Sequence, residues 1–403
     1  MSGPLEGVKV VELGVWVAGP AAAGVMADWG ADVVKIEPMS GDPARSFQFM
    51  YGGNPPDNPV FELDNRNKRG VAIDITTEAG RDAAYRLIDE ADVFVTNVRA
   101  AALQRSGFDY ATLGPRNPQL IYGLITGYGL TGPDADRPGF DISAFWARTG
   151  MAHMMTPPGN TIPTLRGGMG DHSTGVTFAG AISAALFSRE RTGKGQMVTS
   201  SLLRQGVYTI GFDLNMVLSW GRHPPINNRF EARNPSVNTY QSSDGKWFFV
   251  VGVEGDRHWA PLARVVGKPE LIDDPRFNSI RHRAINFEEL RQILDVSFAE
   301  RTMDEWERLF ADEPNMFWSP IHSADEILSD EQLRHAGGLV EVPNGDGTTQ
   351  MIASPVDFHG TPGAQRSLAP KLGEHTHEVL TEAGFSDHEI RAMINAGAVR
   401  VIE

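Results

Sequence analysis

Five short, nearly continuous apolar runs separated by helical segments constrain the fold of this chain more than any other feature. Val8–Leu13, Val33–Glu37, Val71–Ile75, Val93–Val98 and Leu120–Thr126 are rich in Val, Ile and Leu. They lack the strict alternation of strands with one wet face. Ala21–Trp29 lies after the first of them, small and closed by Gly30. Thr77–Glu90 carries Ala79, Ala83, Leu87 and Ile88 along one side. Continuous strands alternating with helices predict an α/β fold whose parallel sheet is covered on both faces.

At 403 residues the chain exceeds one ordinary core, so more than one domain is expected. After a strand at Gln196–Leu203, a long apolar helix is predicted at Val207–Leu218, and the character changes near Gly221–Pro225. From Val237 to Val253 the pattern is a hairpin turning at Ser243-Asp244-Gly245, followed by helical segments at His258–Val266 and Phe287–Phe310. Strand-like pieces return at Gly338–Val342 and Gln350–Ile352, and a last helix, His375–Ala383, precedes a short tail. We expect a large Rossmann-like domain built from both ends of the chain (residues 1–224 and 331–403) and a smaller α/β domain at 225–330.

A net charge of −15 excludes nucleic acid as the natural partner, because phosphate neutralisation needs a basic face. A phosphorylated ligand would need the few clustered cations, Arg66, Lys68 and Arg69 or Arg99 and Arg105. The absence of cysteine removes disulfides, thiolate metal sites and a cysteine nucleophile, and fits a reducing, cytoplasmic setting. No secretory pattern opens the sequence, and the longest apolar run, near Val176–Phe187, is too short to span a bilayer.

Gly170-Asp171-His172-Ser173-Thr174-Gly175 places one carboxylate in a glycine turn at the start of a predicted buried helix. Helix-start amides favour an anion there, so Asp171 is expected to stay ionised and fixed, a candidate nucleophile. The alternative is an N-cap that only satisfies amides. Gly127-Tyr128-Gly129-Leu130-Thr131-Gly132 spells a dinucleotide fingerprint, but Pro133, Asp134 and Asp136 stand where its helix should begin, so a loop is expected. There is no nucleophile elbow, and Gly193-Lys194 is no P-loop. His375-Thr376-His377 reads as a helix start, so no metal site is expected.

The sequence resembles the family III CoA-transferases, which include formyl-CoA, carnitine and bile-acid CoA-transferases and 2-methylacyl-CoA racemases. The likeness runs through Gly30-Ala31-Asp32-Val33-Val34-Lys35-Ile36-Glu37-Pro38, Asn65-Arg66-Asn67-Lys68-Arg69, Gly127-Tyr128-Gly129, Arg137-Pro138-Gly139-Phe140-Asp141, Gly170-Asp171, Thr192-Gly193 and Leu372-Gly373-Glu374-His375-Thr376, in this order.

The resemblance implies that Asp171 attacks an acyl-CoA thioester, giving a mixed anhydride and then a β-aspartyl-CoA thioester that an acceptor acid reverses. It implies CoA contacts from Trp16, Val17, Ala18, Lys68, Arg69, Asn97, Val98, Arg105, Ser106 and Phe140. CoA would be part of the substrate, with no permanently bound cofactor. Oxyanion donors are expected among the amides of Gly168–Gly170 or Ala18-Gly19. The family also implies an interlocked homodimer with active sites between the large and small domains.

Racemases of the family carry a second base in a Gly-His-Asp segment. Here it reads Gly139-Phe140-Asp141, and Phe140 cannot carry a proton, which favours transfer over the alternative of 2-methylacyl-CoA racemisation. Phe145, Trp146, Met151, Met154 and Met155 suggest a roomy apolar wall for a medium or bulky acyl group. The loop Asn227–Pro235 replaces the glycine loop of formyl-CoA enzymes, and Arg229 or Arg233 is a candidate for holding an acceptor carboxylate.

Overall fold

A computed structural model describes residues 3–50, 52, 58–223, 225–226 and 228–402. The described chain forms two compact units. One comprises the described residues up to His153, Ile162–His223 and those from Arg334 onward; the other comprises Met154–Thr161 and the described residues of 224–333.

The first unit is built on a seven-stranded sheet. Its parallel strands are β1 (Lys9–Leu13), β2 (Asp32–Glu37), β3 (Arg69–Ile73), β4 (Val93–Thr96), β5 (Ile121–Thr126) and β6 (Gln196–Ser201), in spatial order β3-β2-β1-β4-β5-β6. All four residues of β4 and the first five of β5 are buried. That is the property of a sheet covered on both faces, and it is why these strands are continuously apolar. The short tail expected after His375–Ala383 carries two further elements. It forms a further helix, Asp387–Asn395, capped by Ser386, and then a strand, Val399–Arg400, that pairs antiparallel with β3. The Ser-x-x-Glu capping box at Ser386–Glu389 is the sequence signal for that helix.

Order reverses at β1, which lies between β2 and β4, so a crevice opens beyond the carboxyl ends of β1 and β4. Two helices cover that region. Ala18–Asp28 follows β1, and Met169–Thr192 packs across it, with Gly175 so close that a Cβ there would lie 2.9 Å from that of Ala21. The helix predicted at Val207–Leu218 is two helices, Leu202–Thr209 and Gly211–Trp220, broken at Ile210. No residue of the second is buried, so its apolar character does not come from this chain's core.

The second unit has a three-stranded antiparallel sheet, Val237–Gln241, Trp247–Val251 and Trp318–Pro320, against helices. Its core is aromatic: Tyr240, Phe248, Phe298, Trp306 and Phe310 are all buried. The single helical segment expected over Phe287–Phe310 is two helices, Phe287–Phe298 and Met303–Ala311, the second opened by a capping box at Thr302.

Candidate active site

The loop from Gly14 to Pro20 leaves β1 and enters the Ala18–Asp28 helix, and buried polar groups hold it along its length. Lys35 Nζ donates to the Gly14 carbonyl at 3.1 Å, and Lys68 Nζ donates to that of Pro20 at 2.9 Å. Both ammonium groups meet one carboxylate, Glu12, at 2.7 and 2.6 Å, and all three side chains are wholly buried. Between these clips, Asn97 at the end of β4 accepts from the Val15 N–H at 2.9 Å and donates to its carbonyl at 2.7 Å. The Trp16 N–H donates to Asp42 at 3.0 Å, and Asp42 also pairs with Lys35.

Trp16 is thereby held at φ 64°, in the left-handed region that a bulky residue adopts at a cost on the order of 1–3 kcal/mol. Its ring packs edge-on to Phe140, with centroids 5.8 Å apart, and tilted against Phe47 at 5.5 Å. Phe140 remains 55% exposed. The amides of Ala18 and Gly19 lie in the first turn of their helix, where no upstream carbonyl is available to them.

Asp171 lies in the first turn of the Met169–Thr192 helix and is 9% exposed. Gly168, at φ 81°, is the N-cap. The capping alternative for Asp171 is therefore set aside. The turn is fixed by Asp141, whose Oδ2 accepts from the Gly168 N–H at 2.8 Å. Asp141 opens a π-helical segment, Asp141–Ala147, and that distortion recurs at functional sites. Gly170 packs on Phe145: a Cβ there would stand 2.5 Å from Phe145 Cγ. Gly170→Ala is therefore expected to displace the Asp171 turn, lowering stability by about 1–3 kcal/mol and activity with it. Adding Phe145→Ala should recover part of the stability, measured by urea unfolding.

The charge state of Asp171 differs from expectation. Burial pushes its carboxyl up to about 7; Asp141 adds to that, His172 opposes it, and Asp64 contributes in the same direction as burial. Helix-start amides do not offset a buried site shared with two more carboxylates. Asp64, on the Pro59–Asn65 helix, accepts from or donates to His172 Nε2 at 3.0 Å according to the tautomer. Burial alone lowers the proton affinity of His172, but Asp64, Asp171 and Asp141 together raise it above the ordinary value. Asp64, Asp141 and His172 are absent from the expected site. Asp141 stood in the quoted Arg137–Asp141 stretch and Asp64 directly before Asn65-Arg66, while His172 adjoins Asp171, so position was their only signal.

Trp16, Val17 and Ala18 follow the carboxyl end of β1 and Asn97 and Val98 that of β4, with Phe140 against Trp16, but other expected contacts lie elsewhere. Lys68 is a buried partner of Glu12 and offers no ammonium to a phosphate. Arg69 opens β3 at the opposite end of the sheet, bound to Asp32, Glu378 and Glu382. Arg66, a candidate cation for a phosphate, pairs instead with Asp28 at 2.6 Å inside the fold. Arg105 is exposed, and Ser106 donates to the carbonyls of Ala102 and Leu103 within its helix.

The expected apolar wall is mostly core, since Phe145, Trp146 and Met151 are buried, and only Met155 is open. Of the Gly168–Gly170 amides, that of Gly168 is taken by Asp141. In the second unit Arg229 is spent on Asp295 and the Thr239 carbonyl, while Arg233 is exposed; Asn227 lies outside the described residues. The Gly127–Gly132 stretch is a loop, and His375 caps the Thr376–Glu382 helix while its Nδ1 accepts from the Gly70 N–H at 3.2 Å.

Comparison with known proteins places the chain. The family model "CoA-transferase family III" matches residues 5–376. An (R)-2-hydroxy-4-methylpentanoate CoA-transferase of Clostridioides difficile is 35% identical over 98% of this chain and 99% of its own. A cinnamoyl-CoA:phenyllactate CoA-transferase of Clostridium sporogenes is 33% identical over 96% and 95%. The crystal structure of a CAIB/BAIF family protein from Brucella suis superposes with a TM-score of 0.83 at 30% identity, covering 95% of this chain and all of that one.

Proposed function

The chain belongs to CoA-transferase family III, and from that premise we propose a course of reaction on Asp171. One carboxylate oxygen of Asp171 attacks the thioester carbon of an acyl-CoA; the C–S bond breaks, leaving a mixed anhydride and CoA thiolate. The thiolate attacks Asp171 Cγ and expels the donor acid, giving a β-aspartyl-CoA thioester. The acceptor carboxylate attacks the same carbon and releases the thiolate, which then takes the acceptor's acyl carbon and frees Asp171. Each step exchanges one activated carbonyl for another, so the thioester's free energy is kept from water.

The observation that carries this reading is the isolation of Asp171. It is buried on a helix's first turn, and among the described residues its carboxylate accepts no hydrogen bond, so its lone pairs are uncommitted. The unpartnered amides of Ala18 and Gly19 open the adjoining helix and are suited to a developing oxyanion. Trp16, Val17, Ala18, Asn97, Val98 and Phe140 would form the CoA and thioester side of the site.

The exposed Phe140 ring beside Trp16 suits a medium or bulky apolar acyl group, as do the branched and aromatic acids named for the two relatives above. Phe140 packs on Trp16 and carries no proton, which is why racemisation is not proposed. The test is an incubation in deuterated water of acyl-CoAs with free acids, read by mass spectrometry. New acyl-CoA appearing only when both are present supports transfer; α-deuterium without a second acid would overturn it.

An interlocked homodimer is the proposed assembly. Tyr208, Phe212 and Leu218 are each more than four-fifths exposed on the two helices beyond β6, and Trp220 is 67% exposed. Isolated apolar residues are ordinary, but four large ones on consecutive helices call for cover. Light scattering is expected to give about twice the 44.0 kDa chain mass, and Phe212→Glu with Leu218→Glu should lower it.

A further inference from the structure

His172 has no part in the reaction course above, yet its side chain is held from two sides. Its Nε2 meets Asp64 Oδ1 at 3.0 Å, and its backbone N–H makes the helix's first bond, to the Gly168 carbonyl at 2.8 Å. The imidazole lies over Gly168 so closely that a Cβ there would be 2.9 Å from Cε1 and 3.1 Å from Nδ1. Gly168 is in turn pinned by Asp141. Ring, cap and both acids therefore form one packed assembly around the first turn that carries Asp171.

We propose that His172, held by Asp64, is a positioning residue whose positive charge keeps the neighbouring Asp171 carboxylate ionised for attack. The inference rests on Asp171 being the nucleophile. A protonated carboxyl cannot attack a thioester, and three influences put the proton on Asp171: burial, Asp141 from the Asp141–Ala147 segment, and Asp64 from the Pro59–Asn65 helix. Among the charged groups acting on it, His172 alone acts the other way. Asp64 has two opposed effects. It repels the Asp171 anion, but its bond to Nε2 favours the imidazolium and fixes where that charge sits. Without His172, Asp64 is only another acid in the site.

The dependence of kcat/KM on pH reads this directly, because its acid limb reports groups of the free enzyme. For His172→Gln, whose amide can still reach Asp64, the limb is expected to move alkaline by about one unit, a size typical of a close opposite charge. Activity then falls about tenfold near pH 6 and converges with the parent above pH 9. His172→Lys, which keeps a cation, should hold the limb near the parent's. Adding Asp64→Asn to His172→Gln should bring the limb partway back, since an uncompensated acid is removed.

A purely structural role would lower kcat/KM by the same factor at every pH, and that result, or an unmoved limb, overturns the proposal. If Asp171→Asn keeps activity, the nucleophile reading itself fails. If Asp171→Asn is inactive and the His172→Gln limb stays put, only the role given to His172 fails.

Discussion

Asp171→Asn is expected to abolish transfer and, at the same time, to make the protein more stable at pH 8. Loss of the nucleophile should reduce turnover by at least about 10³-fold, since the neighbouring carboxylates Asp141 and Asp64 are bonded to the Gly168 N–H and to His172. The stability gain follows from linkage. The carboxyl sits at about 7 in the folded protein against an ordinary 3.8. Its folded-state affinity for the proton is raised, so folding is favoured by Asp171 while both states are protonated, below about pH 4. That advantage is lost progressively as pH rises to 7, after which the ionised buried carboxylate carries the full cost.

Three units correspond to about 4 kcal/mol. The asparagine variant should therefore exceed the parent by up to about that amount at pH 8 and match it near pH 4. Urea unfolding at the two pH values measures it. Equal stabilities at pH 8 would mean that the site does not strain the Asp171 anion.

The second large effect is expected at Glu12. Its carboxylate joins Lys35 and Lys68, all three wholly buried, and burial, which alone would raise its pKa, is outweighed by the two ammonium groups, so the net shift is downward. Glu12→Gln leaves two ammonium groups facing each other without that counter-charge, although Lys35 keeps its pair with Asp42. Uncompensated buried charge of this kind costs about 3–5 kcal/mol.

Lys68→Met is expected to cost less, because Glu12 keeps Lys35. It also frees the Pro20 carbonyl, so KM for acyl-CoA should rise in both variants as the Gly14–Pro20 loop loosens. Unfolding and steady-state kinetics on the pair decide it. A smaller loss of stability for Glu12→Gln than for Lys68→Met would contradict this account of the cluster.

These two sites show what the sequence made legible and what it did not. Val8–Leu13, Val33–Glu37 and Leu120–Thr126 announced a covered parallel sheet because burial on both faces leaves no polar period, and the sheet is there. Asp171 was legible as a special carboxylate from its glycine turn. Its proton affinity was not, because that depends on burial and on Asp141 and Asp64, which lie 30 and 107 residues upstream and reach it only through packing.

Lys68 and Arg69 were misread for one reason: a basic pair in sequence says nothing of which end of a strand each side chain serves. Lys68 turns inward to Glu12, and Arg69 begins β3 on the far side of the sheet. The long apolar helix expected at Val207–Leu218 left open what covers it: no residue of Gly211–Trp220 is buried, and apolarity records what a surface meets and not which chain supplies the cover.

The most direct test of the central claim is to expose the enzyme to a donor acyl-CoA with hydroxylamine and map the peptides by mass spectrometry. Hydroxylamine captures either activated form of the carboxyl as a hydroxamate. A hydroxamate on Asp171, formed only when acyl-CoA is present, is the predicted result. Transfer that proceeds at full rate with Asp171 unmodified would contradict it.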